Sequence, residues 1–256
     1  MDGHTVFVTG ASQGIGRAIS VAFADRGANV ALAARGEGIE ETANRIDAPD
    51  RTLPVYTDIT DETSVRESID RTVETFGGLD TLVNNAGIAG PTAPIEEVER
   101  EEWEHTMEVN VTGMFLTTKH AVGRLRESDC GSVVNLASIS GKRPLENRTP
   151  YTASKMAVIG LTRTLAFELG DDGVTVNAIC PGATSGSRID AVIEAQAEAM
   201  GVKFEEAKRR VFTEGTALET LVDPADIASM AVFLASEDAR HITAQDISVD
   251  AGATWY

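Results

Sequence analysis

"VFVTGASQGIG", residues 6–16, runs from a short apolar, β-branched segment straight into three glycines, Gly10, Gly14 and Gly16. Residues 15–26 then take up a helical pattern. A glycine turn between a strand and a helix lets the backbone come close to a pyrophosphate, and the helix N-terminus adds N–H donors and the positive end of its dipole. Glycines alone say little, because turns collect them. A strand before and a helix after, at the head of a βαβ unit, are the context that dinucleotide binding requires. The stretch therefore predicts a dinucleotide loop made by Gly10, Ser12, Gln13, Gly14, Ile15 and Gly16.

The same alternation continues along the chain. Strands are predicted at 5–9, 29–34, 52–57, 80–85, 131–138, 174–180 and 246–251, and helices at 15–26, 37–47, 62–76, 100–127, 151–169 and 224–235. Repeated βαβ units predict an α/β fold: a doubly wound parallel sheet of about seven strands with helices on both faces. The strands are near-continuous apolar runs, as a sheet covered on both sides demands. No internal repeat, low-complexity tract or linker divides the chain, so residues 1–256 are expected to form a single domain. Residues 185–222 interrupt the rhythm with charged helical sequence just past a strand's carboxyl end, where ligands bind in such sheets. They are expected to form either a substrate lid or a packed peripheral helix pair.

The second strand should end at the residue that reads the adenosine ribose, an acid for NAD or an arginine for the 2′-phosphate of NADP. Here Ala34 takes the acid's place and Arg35 follows. A guanidinium holds phosphate through paired, charge-assisted hydrogen bonds, so NADP(H) is expected over NAD(H). Glu37 stands two residues on and could pair with Arg35 or reach a ribose itself.

Composition narrows the partners. The chain has 256 residues and a net charge of −18, with a pI near 4.6, which disfavours nucleic acid and anionic membranes. Forty acidic residues are spread along the chain, against five lysines and seventeen arginines, a balance that fits the surface of a protein from a salt-loving organism. Cys130 and Cys180 have no metal-like spacing and form no disulfide framework, and His4, His105, His120 and His241 are scattered, so no metal is expected. No apolar run reaches the roughly 18 residues of a membrane span, and "MDGHTVFVTG" has no signal-peptide pattern. A soluble protein of a reducing, cytoplasmic compartment is expected.

In "YTASK" (151–155), Tyr151 and Lys155 stand four apart, hence on one face of a helix. Tyrosine ionises near pH 10 in water, too high for an efficient base; a neighbouring ammonium favours the phenolate. Such a pair suits proton transfer at a carbonyl or an alcohol. Ser138, after the fifth strand, could donate to a substrate oxygen, with Ser140 an adjacent candidate. Asn110 falls inside a helical pattern although Asn is a poor helix former, so a local break there could expose a carbonyl to water.

"TGASQGIG", "NNAG" (84–87), Asn110 in "VNVTG", "NLASISG" (135–141), "YTASK" and "PG" (181–182) occur in the order of the short-chain dehydrogenase/reductases. The resemblance covers essentially the whole chain and implies a Rossmann fold. It also implies a catalytic set of Asn110, Ser138, Tyr151 and Lys155, with Asn110 in a proton relay through Lys155 and Lys155 on the nicotinamide ribose. Further cofactor contacts implied are Asp58 and Ile59 at the adenine, Asn85, Ala86 and Gly87 along the adenosine side, and Pro181, Gly182 and Thr184 at the nicotinamide. For the last of these, Ser185 competes with Thr184. Ala251 stands where the family commonly carries a second glycine.

The function expected is NAD(P)-dependent interconversion of a secondary alcohol and a ketone on a small polar substrate: a sugar, polyol or hydroxy acid. A 3-oxoacyl-thioester reductase is the alternative, and a non-catalytic dinucleotide-sensing protein the reading from a different class. The resemblance also implies a homotetramer built on the helices at 100–127 and 151–169, with the terminal "ATWY" (253–256) docking on a neighbouring subunit.

Overall fold

In a computed structural model that describes residues 1–255, alternate residues of the first strand feed opposite sides of one sheet. Val6 and Val8 of β1 (Thr5–Thr9) join a core with Ile19 and Phe23 of α1 (Gly14–Ala24), while Phe7 turns the other way. Both faces are therefore dry, which is why the strand sequences lack polar alternation.

The remaining elements follow as β2 (Asn29–Ala34), α2 (Gly38–Ile46), β3 (Thr52–Tyr56), α3 (Glu62–Phe76), β4 (Thr81–Asn84), α4 (Arg100–Met107), α5 (Gly113–Leu125) and β5 (Ser132–Leu136). After these come α6 (Thr149–Glu168), β6 (Thr175–Pro181), α7 (Ser187–Met200), α8 (Phe204–Lys208), α9 (Pro224–Leu234) and β7 (Asp246–Val249). Among the described residues seven strands make one parallel sheet in the order β3-β2-β1-β4-β5-β6-β7, the doubly wound fold that the sequence predicts. The order reverses between β1 and β4, so a crevice opens at their carboxyl ends, the usual ligand position in such sheets. Ile227 and Ala231 of α9 share the α1 side, and α3, α5 and α6 cover the other through Ile69, Leu116 and Ala166.

Two departures from the predicted elements bear on the site. The helix expected over 100–127 is interrupted between α4 and α5 by a π-helical turn, Glu108–Thr112, with Asn110 at its centre. The periodicity of apolar residues does not reveal it, because a π turn adds a residue without ending the helix. Residues 185–222 form more than a surface pair of helices. Ile193, Ala197 and Ala207 are buried together, packed by Ile189, Val202, Phe204, Phe212 and Leu221 in a small core of their own. This excursion leaves and rejoins the sheet at one point, where Thr184 bridges Val222 and the Ser185 N–H donates to the Val222 carbonyl at 2.9 Å.

Candidate active site

The glycine loop is fastened to the end of β4. The Thr9 hydroxyl accepts from the backbone N–H of Asn85 (2.9 Å) and of Ala86 (3.0 Å). In return the Asn85 side-chain amide donates to the Thr9 carbonyl at 2.8 Å and to the Gly10 carbonyl at 3.2 Å. The chains are so close that a Cβ on Gly16 would stand 2.2 Å from the Gly10 carbonyl oxygen. Gly14 has φ +54° with open space where a side chain would lie, and Gln13 and Gly14 are exposed. The Gln13 side chain does not cap α1, so the first-turn N–H groups keep their donors for a ligand. Ser12 is held from behind, its carbonyl accepting from Arg17, which also bonds Thr42 at 3.0 Å and Glu41 at 2.9 Å. Ile15 packs against the core below. A backbone cradle without side chains, with donors at a helix N-terminus, fits a dinucleotide pyrophosphate.

Arg35 follows β2, exposed, and makes no ion pair among the described residues; Glu37 does not engage it. Asp58 holds its carboxylate through the Thr60 N–H (3.0 Å) and hydroxyl (2.7 Å). The Thr60 backbone N–H is the main cause that keeps this carboxyl below its usual range, with Arg35 and His105 adding to it against partial burial. Ile59 lies over the π turn, its Cδ1 2.6 Å from where a Gly113 Cβ would be.

Gly87, Asn110, Tyr151 and Lys155 are brought together. A Cβ on Gly87 would stand 3.1 Å from Asn110 Oδ1 and 3.6 Å from Lys155 Nζ. Asn110 Oδ1 accepts from the Ile88 N–H at 2.8 Å, and its amide donates to the Ile88 carbonyl and the Ser154 hydroxyl, each at 3.0 Å. The side chain thus pins the loop after β4 to the π turn, in which the Gly113 N–H donates to the Glu108 carbonyl five residues back. Lys155 is only 6 % exposed; Nζ donates to the Leu136 carbonyl at 2.7 Å and lies 5.7 Å from the centroid of the Tyr151 ring. Burial pushes the ammonium's pKa down, and Arg188 adds to the push. Tyr151 and Cys180 oppose it, favouring the charged form.

Ser138 begins the turn after β5, and its Oγ accepts from the Ser140 N–H at 3.1 Å. That bond caps the turn and leaves the Ser138 hydroxyl hydrogen available to donate. The turn is seated on α6, since a Cβ on Gly141 would be 2.8 Å from the Lys155 carbonyl oxygen. Cys180, buried at the end of β6, has its thiol pushed up to about 11 by burial, which makes it inert. Next to it, Pro181 pairs with Val249 and Gly182 lies against Asp250. The Thr184 hydroxyl donates to the Gly182 carbonyl at 3.0 Å, within its own loop.

Three features of the structure lie outside the site that the sequence predicts. Arg148 lies with Cζ 5.3 Å from the centroid of the Tyr151 ring and donates to the Ala89 carbonyl at 2.7 Å; its position three residues before Tyr151, one turn away, is the signal that could have revealed it. Asp246 is the second, binding Lys142 at 2.8 Å and also Arg163. Lys142 follows the Ser138 turn and Arg163 rides on α6, so one carboxylate clamps the two elements that carry Ser138, Tyr151 and Lys155. Only the three-dimensional fold brings those positions together. The third lies at the sheet's other end, where ligand atoms of His4, Asp80 and Cys130 fall within 4.8 Å of one another. Asp80 there accepts from the Thr5 N–H (2.7 Å) and the Ser128 hydroxyl (2.6 Å), a hydrogen-bonded knot remote from the crevice. Among the described residues no helix is long and apolar enough to cross a membrane.

A family model described as enoyl-(acyl carrier protein) reductase matches residues 10–254. The chain is 37% identical over 248 residues to the cis-4-hydroxycyclohexanecarboxylate dehydrogenase of Sinomonas cyclohexanicum, covering 96% of this chain and 95% of that one. A variant of actinorhodin polyketide ketoreductase solved with NADPH superposes with a TM-score of 0.92 at 33% identity, covering 99% of this chain and 98% of that one. An NAD+-bound xylitol dehydrogenase gives 0.91 at 27% identity, with 98% and 99% covered.

Proposed function

The chain belongs to the short-chain dehydrogenase/reductase family, and we propose that Tyr151 is the group through which it moves a proton to and from its substrate. It is an NAD(P)-dependent oxidoreductase that interconverts a secondary alcohol and a ketone on a small polar molecule. The observation that carries the role of Tyr151 is the buried Lys155 ammonium facing its ring from one helical turn away.

A nicotinamide dinucleotide, when bound, supplies or accepts the hydride. Gly10, Ser12, Gln13, Gly14, Ile15 and Gly16 would hold its pyrophosphate side, Asp58, Ile59, Asn85, Ala86 and Gly87 the adenosine side, and Pro181, Gly182 and Thr184 the nicotinamide. Arg35, which makes no ion pair among the described residues, favours the 2′-phosphate and hence NADP(H). In the reductive direction Tyr151 donates its phenolic proton to the oxygen that becomes the alcohol; in the oxidative direction it takes that proton back. Lys155 stabilises the phenolate between the two. Ser138 donates to the same substrate oxygen and steadies its developing charge. Asn110, anchored in the π turn, positions the chain of donors behind Lys155 through which the proton is replaced.

Residues 185–222 act as a lid, with Arg188 near enough to act on Lys155 electrostatically. The exposed Phe115 of α5, and Met156 and Phe167 of α6, are apolar side chains on helices that would pair with those of other subunits in a homotetramer. Tyr256 of the terminal "ATWY" lies outside the described residues. The acidic surface fits a salt-rich cytoplasm.

A panel of sugars, polyols, hydroxy acids and 3-oxoacyl esters, run with both cofactors in high salt, tests this reading together with Tyr151→Phe. Turnover of at least one secondary alcohol, abolished in Tyr151→Phe while cofactor binding persists, is expected. NADP(H) binding with no turnover of any compound would favour the sensing protein instead.

A further inference from the structure

Arg148 and Arg188 are cations without an acidic partner in a chain that has forty acids. Among the described residues neither makes an ion pair. Arg148 precedes α6, partly buried, with Cζ 5.3 Å from the Tyr151 ring centroid. One of its terminal nitrogens bonds the Ala89 carbonyl, yet its Nε is buried and has no hydrogen-bond partner. Arg188 is exposed in the first turn of α7. Its charge reaches Arg148 and Lys155 alike: burial is the chief cause that lowers each of them, and Arg188 lowers both further.

Arg148, Lys155 and Arg188 are like charges that repel one another, and partial burial strengthens the repulsion. An anion in their midst removes that cost. Among the described residues no carboxylate pairs with either arginine, and Arg148, unlike the unpaired arginines of the open surface, is partly buried against Tyr151. The glycine loop after β1 has its own N–H donors for the cofactor pyrophosphate. Arg148 stands against the ring of Tyr151 just before α6, and Arg188 opens α7 within electrostatic reach of Arg148 and Lys155. We propose that Arg148 and Arg188 hold a carboxylate carried by the substrate, so that the enzyme acts on a small hydroxy acid and its oxo acid. This assignment rests on the reading of Tyr151 as the proton-transfer group. Arg148 is fixed by Ala89 and by the ring of Tyr151, with its buried Nε left without an acceptor. Arg188 comes with the lid and contributes the paired N–H donors that fit a carboxylate.

The test measures binding and turnover separately, on the full chain loaded with NADP+ in high salt. Cyclohexanecarboxylate and its neutral carboxamide are titrated calorimetrically, and 4-hydroxycyclohexanecarboxylate and its carboxamide are assayed as substrates. The acid is expected to bind about tenfold or more tighter than the amide, the margin of a charge-assisted pair over a neutral contact. Arg188→Gln, on an exposed lid position where folding is not at risk, should cut the acid-to-amide ratio about tenfold. Arg188→Lys should restore part of it, and Arg148→Gln should lower it as well. Equal binding of acid and amide would overturn the proposal. So would a loss in Arg188→Gln that falls equally on both compounds, or on NADP+ itself, which would place Arg188 on the cofactor phosphates. If the carboxylate binds selectively but no alcohol is oxidised, the anion site stands and the catalytic reading of Tyr151 fails.

Discussion

Lys155 directs its ammonium to the backbone carbonyl of Leu136, 2.7 Å away, so the charge that faces Tyr151 also pins α6 to the end of β5. The space around it is tight: a Cβ on Gly87 would already stand 3.6 Å from Nζ, and Gly141 packs on the Lys155 carbonyl. A compact ammonium fits there and a planar guanidinium does not. Lys155→Arg should therefore lower kcat by about a hundredfold or more, the scale of a lost proton-transfer group. Circular dichroism and the midpoint of thermal unfolding check that the fold survives. Activity within a few-fold of the parent would show that charge alone is sufficient.

Arg35 follows β2, exposed and without an ion pair among the described residues. Arg35→Ala should weaken NADP+ by about tenfold, as expected for the loss of charge-assisted phosphate bonds, and leave NAD+ little altered. Quenching of intrinsic fluorescence by each cofactor measures both constants. Equal weakening of the two would assign Arg35 to the frame of the loop.

Asp246 couples the Ser138 turn to α6. Partial burial favours its protonated form, but the hydrogen bonds from Lys142 and Arg163 prevail and the carboxyl is held below its ordinary range. Its folded pKa thus lies under the unfolded value of about 3.9. The stabilisation is fully present above that value and is lost as the pH falls through the folded pKa. Asp246→Asn should be destabilised by about 2 kcal/mol at pH 7, and the gap between variant and parent should close below about pH 4. Urea unfolding at several pH values, with the salt held constant, decides it. A gap independent of pH would mean that the carboxylate charge is not what holds the clamp.

Ala251 sits at φ +55°, in left-handed backbone that a residue with a Cβ adopts at a cost of about 1–3 kcal/mol. Part of the relief in Ala251→Gly is offset by the greater freedom of glycine in the unfolded chain. The net expectation is a gain of about 1 kcal/mol, read from urea unfolding. A loss of stability would show that the Ala251 methyl, packed against the core beside β7, outweighs the backbone strain.

Much of this molecule could be read in one dimension because its chemistry is local. The glycine turn between β1 and α1 needs neighbours only a few residues away, and Tyr151 and Lys155 meet because a helix returns to the same face after four residues. The long apolar strands told of a sheet covered on both sides. What escaped depends on pairings distant in sequence, such as Lys142 with Asp246 or Thr9 with Asn85, and on a π turn that leaves the hydrophobic period almost intact. Arg148 was within reach of the helical argument that found Lys155. It was missed because it precedes the helix that the pattern suggested. Ala251, in contrast, was conspicuous in the sequence as a departure from a family glycine, and its left-handed backbone supplies the reason.

The excursion that leaves at Thr184 and returns at Val222 has a core of its own and is tied to the frame at two places, the Thr184–Val222 bridge and the N–H groups of Ala217 and Leu218, which donate to the Gly252 and Ala251 carbonyls after β7. Structurally it is a cassette. A replacement of different length has to keep both ties, the adjoining ends at Thr184 and Val222 and the contact of residues 217 and 218 with the turn after β7. The stretch between those ties, packed on Ile193, Ala197 and Ala207, is then free to change in length and sequence while β6 and β7 keep their places.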